Sequence, residues 1–284
     1  MKNYVLRSYD RGGQWGWEDR AVPDPGPGEV LVKVRAAGLN PLDRMIAEGQ
    51  LKQLFSYRLP QVMGQEFAGT VEKIGAGVEK FRVGDSVFAR SDIHALGAFA
   101  EYAVVSVKDM APMPKKLTFA EAASLPLVLL TAIQALTEKV RIKPGDKVFI
   151  QGGVGGAGSV AVQVAKYLGA TVATTVSGKN VELAKRLGAD VVVDYKTQRY
   201  EDYVQDYDVV LDTLGKGETV RAMSVLRPGG TVVSLVGDPD PDFARQAGKP
   251  FLVPVMWVLG ARVRREARKR GVNYKFLFMR ANGE

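Results

Sequence analysis

Residues 147–169 read KVFIQGGVGGAGSVAVQVAKYLG: a short apolar run, a glycine-dense turn, then an amphipathic helical pattern. Gly153, Gly155 and Gly158 fit G-x-G-x-x-G. In that pattern the first glycine permits a tight turn and the second lets the backbone approach a pyrophosphate. The third lets the helix pack close against the strand. A helix starting near Gly156 points its unpaired N–H groups and the positive end of its dipole at the anion. A glycine-rich surface turn would match the bare pattern by chance. The strand before it and the helix after it favour dinucleotide binding.

The rest of the chain divides in rhythm. After residue 147, apolar strands are predicted at 148–151, 171–176, 191–194, 208–212 and 231–236. Helices at 159–168, 180–187 and 219–226 fill most gaps between them. Nearly continuous apolar strands separated by helices indicate a parallel sheet covered on both faces. Before about residue 118 the pattern is short strands at 29–37, 69–74, 85–89 and 98–105, parted by PDPGPG, GAG and VGD. That reads as a compact, mostly antiparallel barrel or sandwich. A helical pattern covers 118–139, with Thr118 as N-cap three residues before Glu121. The expected division is therefore a β-rich domain at 1–118 and an α/β domain at 119–284.

A chain of 284 residues is long enough for two domains, and 46% hydrophobic with 25% charged residues is ordinary globular composition. There are no cysteines, which excludes disulfides, thiolate metal sites and a cysteine nucleophile. No apolar run is long enough to span a bilayer, and the first residues hold no apolar signal core, so a cytoplasmic location without membrane insertion is expected. The net charge of +8 is local. Residues 262–275 carry seven Lys and Arg against Glu266, and 7 − 1 = +6. The basic character is thus no nucleic-acid signature for the whole protein. Residues 254–270 read as one helix with an apolar start and a basic end. It can be a solvated helix whose cations complement its dipole, an oligomer contact through Trp257, or a surface for an anionic membrane or nucleic acid.

Several segments in order carry a resemblance: PGPGEVLVKVRAAGLNPLD, GQEFAGTVEKIGAGVEKFRVGDSVFA, GAFAEY, AASLPLVLLTAIQAL, the glycine turn, LGAD, DVVLDTLG and LRPGGTVV. Together they resemble the medium-chain dehydrogenase/reductase superfamily, and within it the zinc-free quinone oxidoreductase branch. The resemblance implies an N-terminal GroES-like substrate domain and a Rossmann-like, doubly wound parallel-sheet domain. It also implies a homo-oligomer, a homodimer first. Zinc-dependent relatives use a cysteine where this chain has Asn40, and G-H-E where it has Gly64-Gln65-Glu66. Neutral amides replace thiolate and imidazole poorly at zinc, so no metal is expected. The implied reaction is hydride transfer from NADPH to a small-molecule quinone or activated alkene (an enone).

By the same resemblance, Val154, Gly155, Gly156 and Ala157 hold the pyrophosphate through backbone N–H groups. An NAD-specific site usually carries an acid at the end of the second strand. Here the segment ATTVSGKN has none. Ser177, Lys179 and Tyr195 instead suit a 2′-phosphate, although each alone is ordinary surface chemistry. Leu214, Gly215, Val236 and Gly237 are expected beside the ribose and nicotinamide, with Phe276, Leu277 and Phe278 flanking the ring; the alternative is strand ends and core aromatics. Asn40 and Thr131 are expected near the nicotinamide. Asp43 is either a member of that site or a structural helix-start acid. His94, the single histidine, reads as structural, and no general acid is assigned, Tyr57 included. The chain ends at Glu284, where relatives run on, so a shortened C-terminus is a further expectation. It leaves two alternatives open: an NADPH-binding protein with impaired catalysis, or an interaction protein acting through its basic helix.

Overall fold

The computed structural model describes residues 1–9 and 14–284. It contains two compact units, Met1–Leu130 with Arg280–Glu284, and Thr131–Met279.

In the first unit the strands are β1 (Lys2–Ser8), β2 (Gln14–Asp19), β3 (Glu29–Gly38), β4 (Gln61–Val62), β5 (Glu66–Ile74), β6 (Ser86–Arg90), β7 (Tyr102–Ser106) and β8 (Met110–Pro112). They form an antiparallel sheet in the order β2-β1-β4 and a second antiparallel sheet in the order β7-β3-β5-β6-β8. Val30, Val32, Phe67, Val71, Val87 and Val105 supply the core of the five-stranded sheet. Two helices flank the strands, α1 (Pro41–Ala47) and α2 (Phe119–Ala123). The expected strand at 98–105 begins only at Tyr102, because Phe99 N–H bonds the Met63 carbonyl and Tyr4 N–H bonds the Phe99 carbonyl. Those bonds tie Phe99 to the β1–β4 edge rather than to β3.

The helical stretch expected at 118–139 is broken. Thr118 caps α2 as expected: its Oγ1 accepts from Glu121 N–H, and the Glu121 carboxylate accepts from Thr118 N–H. Pro126 has no N–H to continue α2, so a second helix starts there, α3 (Pro126–Ile133), followed by a π-helical turn at Gln134–Lys139. Because α2 packs on β3 and β5, it belongs with the first unit, and the units part after Leu130 rather than after residue 118.

The second unit is a six-stranded parallel sheet: β9 (Lys147–Ile150), β10 (Thr171–Val176), β11 (Val191–Asp194), β12 (Tyr207–Asp212), β13 (Leu226–Ser234) and β14 (Asn273–Phe276). Its order is β11-β10-β9-β12-β13-β14, which reverses direction between β9 and β12. This is the doubly wound order whose ligands bind outside the strand C-termini at the reversal. The helices are α4 (Gly156–Tyr167), α5 (Val181–Arg186), α6 (Gly217–Ala222), α7 (Pro241–Gln246), α8 (Val253–Leu259) and α9 (Ala261–Lys269). Separate apolar clusters hold Val148, Ile150 and Leu211, and Phe149, Val210 and Val232; these alternating residues lie on opposite faces of the sheet. Helix α4 buries Gly158, Ala161, Val162 and Ala165, an i, i+3, i+4, i+7 stripe. The single helix expected at 254–270 is two helices, parted at Gly260. A Cβ there would lie 2.9 Å from the Pro239 carbonyl and against the Arg264 guanidinium, so only glycine fits the corner.

Among the described residues, no helix is long and apolar enough to cross a membrane.

Candidate functional site

The glycine turn leaves β9 and enters α4 at the point where the sheet order reverses. Its glycines divide the labour differently from the bare motif. Gly152, one residue ahead of the pattern, takes the left-handed conformation at φ +65°. Gly153 is required for close approach, since a Cβ would overlap the Thr174 hydroxyl of β10. Gly158 does the same for α4, where a Cβ would overlap the Gly152 carbonyl. Gly155 caps the helix, is exposed, and spends its own N–H on the Gly152 carbonyl at 2.9 Å. Gly156 and Ala157 are the first two helical residues, and no carbonyl lies four residues behind them within the helix. Together with the dipole they form an anion-binding end, with Val154 half-buried beside them. At the base of the turn Gln151 is fully buried, and among the described residues neither of its amide atoms has a hydrogen-bond partner. These close approaches and this helix end fit a dinucleotide pyrophosphate.

Ser177, Lys179 and Tyr195 meet at the ends of β10 and β11. Tyr195 N–H bonds the Val176 carbonyl at 3.1 Å, which sets the exposed Tyr195 next to the end of β10. The Ser177 hydroxyl accepts from the Asn180 amide at 3.2 Å, and Lys179 is exposed on the same turn. A carboxylate missed by the sequence reading also reaches this segment. Asp194 accepts from Lys196 N–H at 3.1 Å, and its other oxygen lies 2.7 Å from where a Gly178 Cβ would stand. The ends of β10 and β11 thus carry one cation, two hydroxyls and one carboxylate.

At the ends of β12 and β13 the organising residue is Asp212, also missed. It is fully buried and accepts four hydrogen bonds: Leu214 N–H (3.0 Å), Gly215 N–H (2.8 Å), the Thr219 hydroxyl (2.6 Å) and the Ser234 hydroxyl (2.7 Å). Asp212 therefore fixes the Leu214–Gly215 turn, whose glycine has φ +70° and packs against Val236. Leu214 and Val236 are exposed, and Gly237 N–H donates to the Ser234 hydroxyl at 2.8 Å. The Phe276–Phe278 segment is more embedded than expected. Leu277 is buried in the core, while Phe276 and Phe278 pack on Phe243 at 5.3 and 5.0 Å. Thr131, on α3, is buried.

In the first unit Asn40 and Asp43 come together at the start of α1, where Asn40 N–H donates to Asp43 at 2.8 Å. Asp43 is thus the helix-start acid, and it is also part of a buried chain. It accepts from the Gln65 amide at 3.2 Å; the Gln65 oxygen accepts from Arg90 at 2.9 Å; Arg90 donates to the Ser91 carbonyl at 2.8 Å. Beside it the Asn40 amide donates to Glu66 at 2.6 Å, and the other Glu66 oxygen accepts from Leu127 N–H at 2.7 Å. Burial pushes the Asp43 and Glu66 carboxyls above their ordinary range and draws Arg90 down. Asn40 and Asp43 also line a groove of about 720 Å³ with Tyr4, Trp15 and Trp17, where Tyr4 stacks on Trp15 at 5.5 Å and tilts against Trp17 at 5.0 Å. The Tyr57 hydroxyl is held by the Ile93 carbonyl at 2.7 Å and burial raises its pKa; His94 stands edge-on to Phe55.

At the positions where the resemblance implies zinc ligands, the Asn40 and Gln65 amides are committed to Glu66, Asp43 and Arg90. A buried guanidinium and two amides already bonded are not a zinc donor set. The residues do not fit that metal.

Comparison with known proteins agrees with this architecture. Residues 26–115 match the alcohol dehydrogenase GroES-like domain, and residues 156–253 match the zinc-binding dehydrogenase domain. Over 224 residues the chain is 40% identical to an NADPH-dependent alkenal/one oxidoreductase, chloroplastic, of Arabidopsis thaliana, covering 76% of this chain and 57% of that protein. The chain spans about 57% of the length of that relative and of a 2-methylene-furan-3-one reductase of Solanum lycopersicum that it also matches. The crystal structure of an alcohol dehydrogenase superfamily protein from Novosphingobium aromaticivorans superposes with a TM-score of 0.83 at 32% identity, covering 98% of this chain and 79% of that one. That of a quinone oxidoreductase from Coxiella burnetii superposes at 0.82 and 27% identity, over 99% and 84%. A GroES-like unit, a parallel sheet in doubly wound order and these matches lead to one conclusion: the chain belongs to the medium-chain dehydrogenase/reductase superfamily, among its quinone oxidoreductase-like members.

Proposed function

We propose that the protein is an NADPH-dependent, zinc-independent oxidoreductase that reduces quinones or activated alkenes. The observation that carries this reading is the polar network at the metal-ligand positions. Asn40 ties up Glu66, and Gln65, itself held by Arg90, ties up Asp43, so polarisation of an alcohol by zinc has no ligands to work with. An acceptor that is already electron-poor needs no such polarisation. The similarity to an alkenal/one oxidoreductase and to a quinone oxidoreductase supports the same acceptor classes.

When bound, the reduced nicotinamide supplies hydride to the acceptor. The chain contributes placement. The first turn of α4 faces the pyrophosphate with the N–H groups of Gly156 and Ala157. Lys179, Ser177 and Tyr195 suit the 2′-phosphate, with Lys179 offsetting Asp194. Asp212 holds Leu214 and Gly215 still, and the Gly215–Val236 contact couples that turn to the next loop. Asn40, held by Glu66, is the group assigned to orient the acceptor or the ribose, and solvent supplies the proton.

The test is NADPH oxidation against a panel of quinones and enones after exhaustive treatment with a metal chelator. Turnover that survives chelation and prefers NADPH over NADH is the expected result. Activity that disappears on chelation and returns with zinc would overturn the zinc-independent reading.

A further inference from the structure

We propose that the corner formed by α8 and α9 is a peripheral docking surface for an anionic lipid bilayer. Helix α8 reads VPVMWVL, carries no charge, and buries only Met256. Phe251, Val255, Trp257, Val258 and Leu259 are between 49% and 72% exposed. Single exposed apolar side chains are ordinary, but five large ones within one corner form a patch. Helix α9 follows with the opposite character. Val263 and Ala267 point inward at i, i+4, which turns Arg262, Arg265, Arg268 and Lys269 outward. Glu266 is occupied by Lys269 at 2.8 Å and Arg270 at 2.6 Å, so it does not neutralise Arg262, Arg265 and Arg268. The two surfaces meet at one pair: the Arg264 guanidinium lies 4.7 Å from the centre of the Trp257 ring and donates to the Trp257 carbonyl.

Charge and hydropathy together choose the occupant. A second copy would bring the same +6 segment and repel it, unless rotated onto a different face. A nucleic acid would satisfy the arginines and leave Phe251, Trp257 and Val258 wet. A bilayer with anionic headgroups offers phosphates to the arginines and a hydrocarbon boundary to the apolar side chains. Tryptophan is at home at that boundary. The surface lies on neither the glycine turn nor the Asn40 network, so the proposal stands apart from the oxidoreductase reading.

The experiment is co-sedimentation of the full chain with vesicles of equal phosphatidylcholine and phosphatidylglycerol, against vesicles of phosphatidylcholine alone. Binding to the anionic vesicles only, weakened by salt, is expected, with a blue shift of tryptophan emission that Trp257→Phe removes. Combined Arg262→Gln, Arg265→Gln and Arg268→Gln substitution should lower the partition coefficient roughly 100-fold, from about fivefold per cation near the surface. Val258→Ser with Phe251→Ser should lower it independently, and unchanged circular dichroism shows that each variant is folded. Equal binding to neutral vesicles would overturn the proposal. So would binding to a DNA duplex without binding to vesicles, self-association abolished by Val258→Ser without vesicle binding, or no sedimentation with either vesicle.

Discussion

In the proposed function, the choice between the two nicotinamide coenzymes rests on a few atoms at the end of β10. Lys179 presents a cation there, and Asp194 presents a carboxylate from the adjoining strand that the local sequence ATTVSGKN does not reveal. Their opposition gives a paired prediction. Lys179→Ala should raise KM for NADPH about tenfold, roughly 1.4 kcal/mol, and leave KM for NADH nearly unchanged. Asp194→Asn should move selectivity the other way, toward NADPH; steady-state kinetics with both coenzymes reads each shift. A second residue-level prediction concerns Glu66. Burial raises its folded-state pKa above the ordinary 4.5, so the folded chain holds this proton more tightly than the unfolded chain does. That contribution to stability is complete below pH 4.5 and is lost as pH rises through the folded value. Asp43 acts in the same direction. Glu66→Gln, whose amide can still pair with a flipped Asn40, should flatten the pH dependence of the urea midpoint above that pH. An unchanged slope would contradict the assignment. Neither Glu66 nor Asp212 was legible as an organising residue, because their partners lie at distances in sequence that no local pattern records: Asn40 and Leu127 for the first, Ser234 for the second.

At the scale of the element, the glycine turn was the most legible feature, and the structure refines it. The strand–turn–helix order and the close approach at Gly158 agree with the sequence expectation. The left-handed residue is Gly152, while Gly153 is required for the close approach to Thr174. The two later glycines should therefore separate in experiment. Gly158→Ala places a methyl on the Gly152 carbonyl and should cost about 1–3 kcal/mol or more by overpacking. Gly155→Ala meets only the Gly152 carbonyl at 3.3 Å, at a φ of −74° that alanine adopts freely, so thermal stability should change little while NADPH binding weakens. Melting curves and coenzyme titration on the same two proteins check the contrast. Parallel strands were read well because their apolar runs are continuous. Helices were read less well where one residue decides continuity: Pro126 splits the 118–139 stretch, and Gly260 splits the 254–270 stretch. A periodic pattern passes through both residues and does not register the break.

For the whole molecule, each of the two units carries its own half of the argument. The β-rich unit holds Asn40 and Asp43 in a buried polar lattice, and the α/β unit holds the phosphate turn and the Asp212-braced loops. The class of each unit follows from composition and rhythm. The point where they part, after Leu130, depends on α2 packing back onto β3 and β5, which is tertiary information. The proposed function requires that the head of α4 bind a phosphorylated nicotinamide coenzyme. Calorimetric titration of NADPH and of NADH into the full chain tests that claim most directly. Saturable one-to-one binding, tighter for NADPH than for NADH and weakened by Gly155→Ala, is the predicted result. No heat with either coenzyme, from protein whose circular dichroism is that of the folded chain, would contradict it.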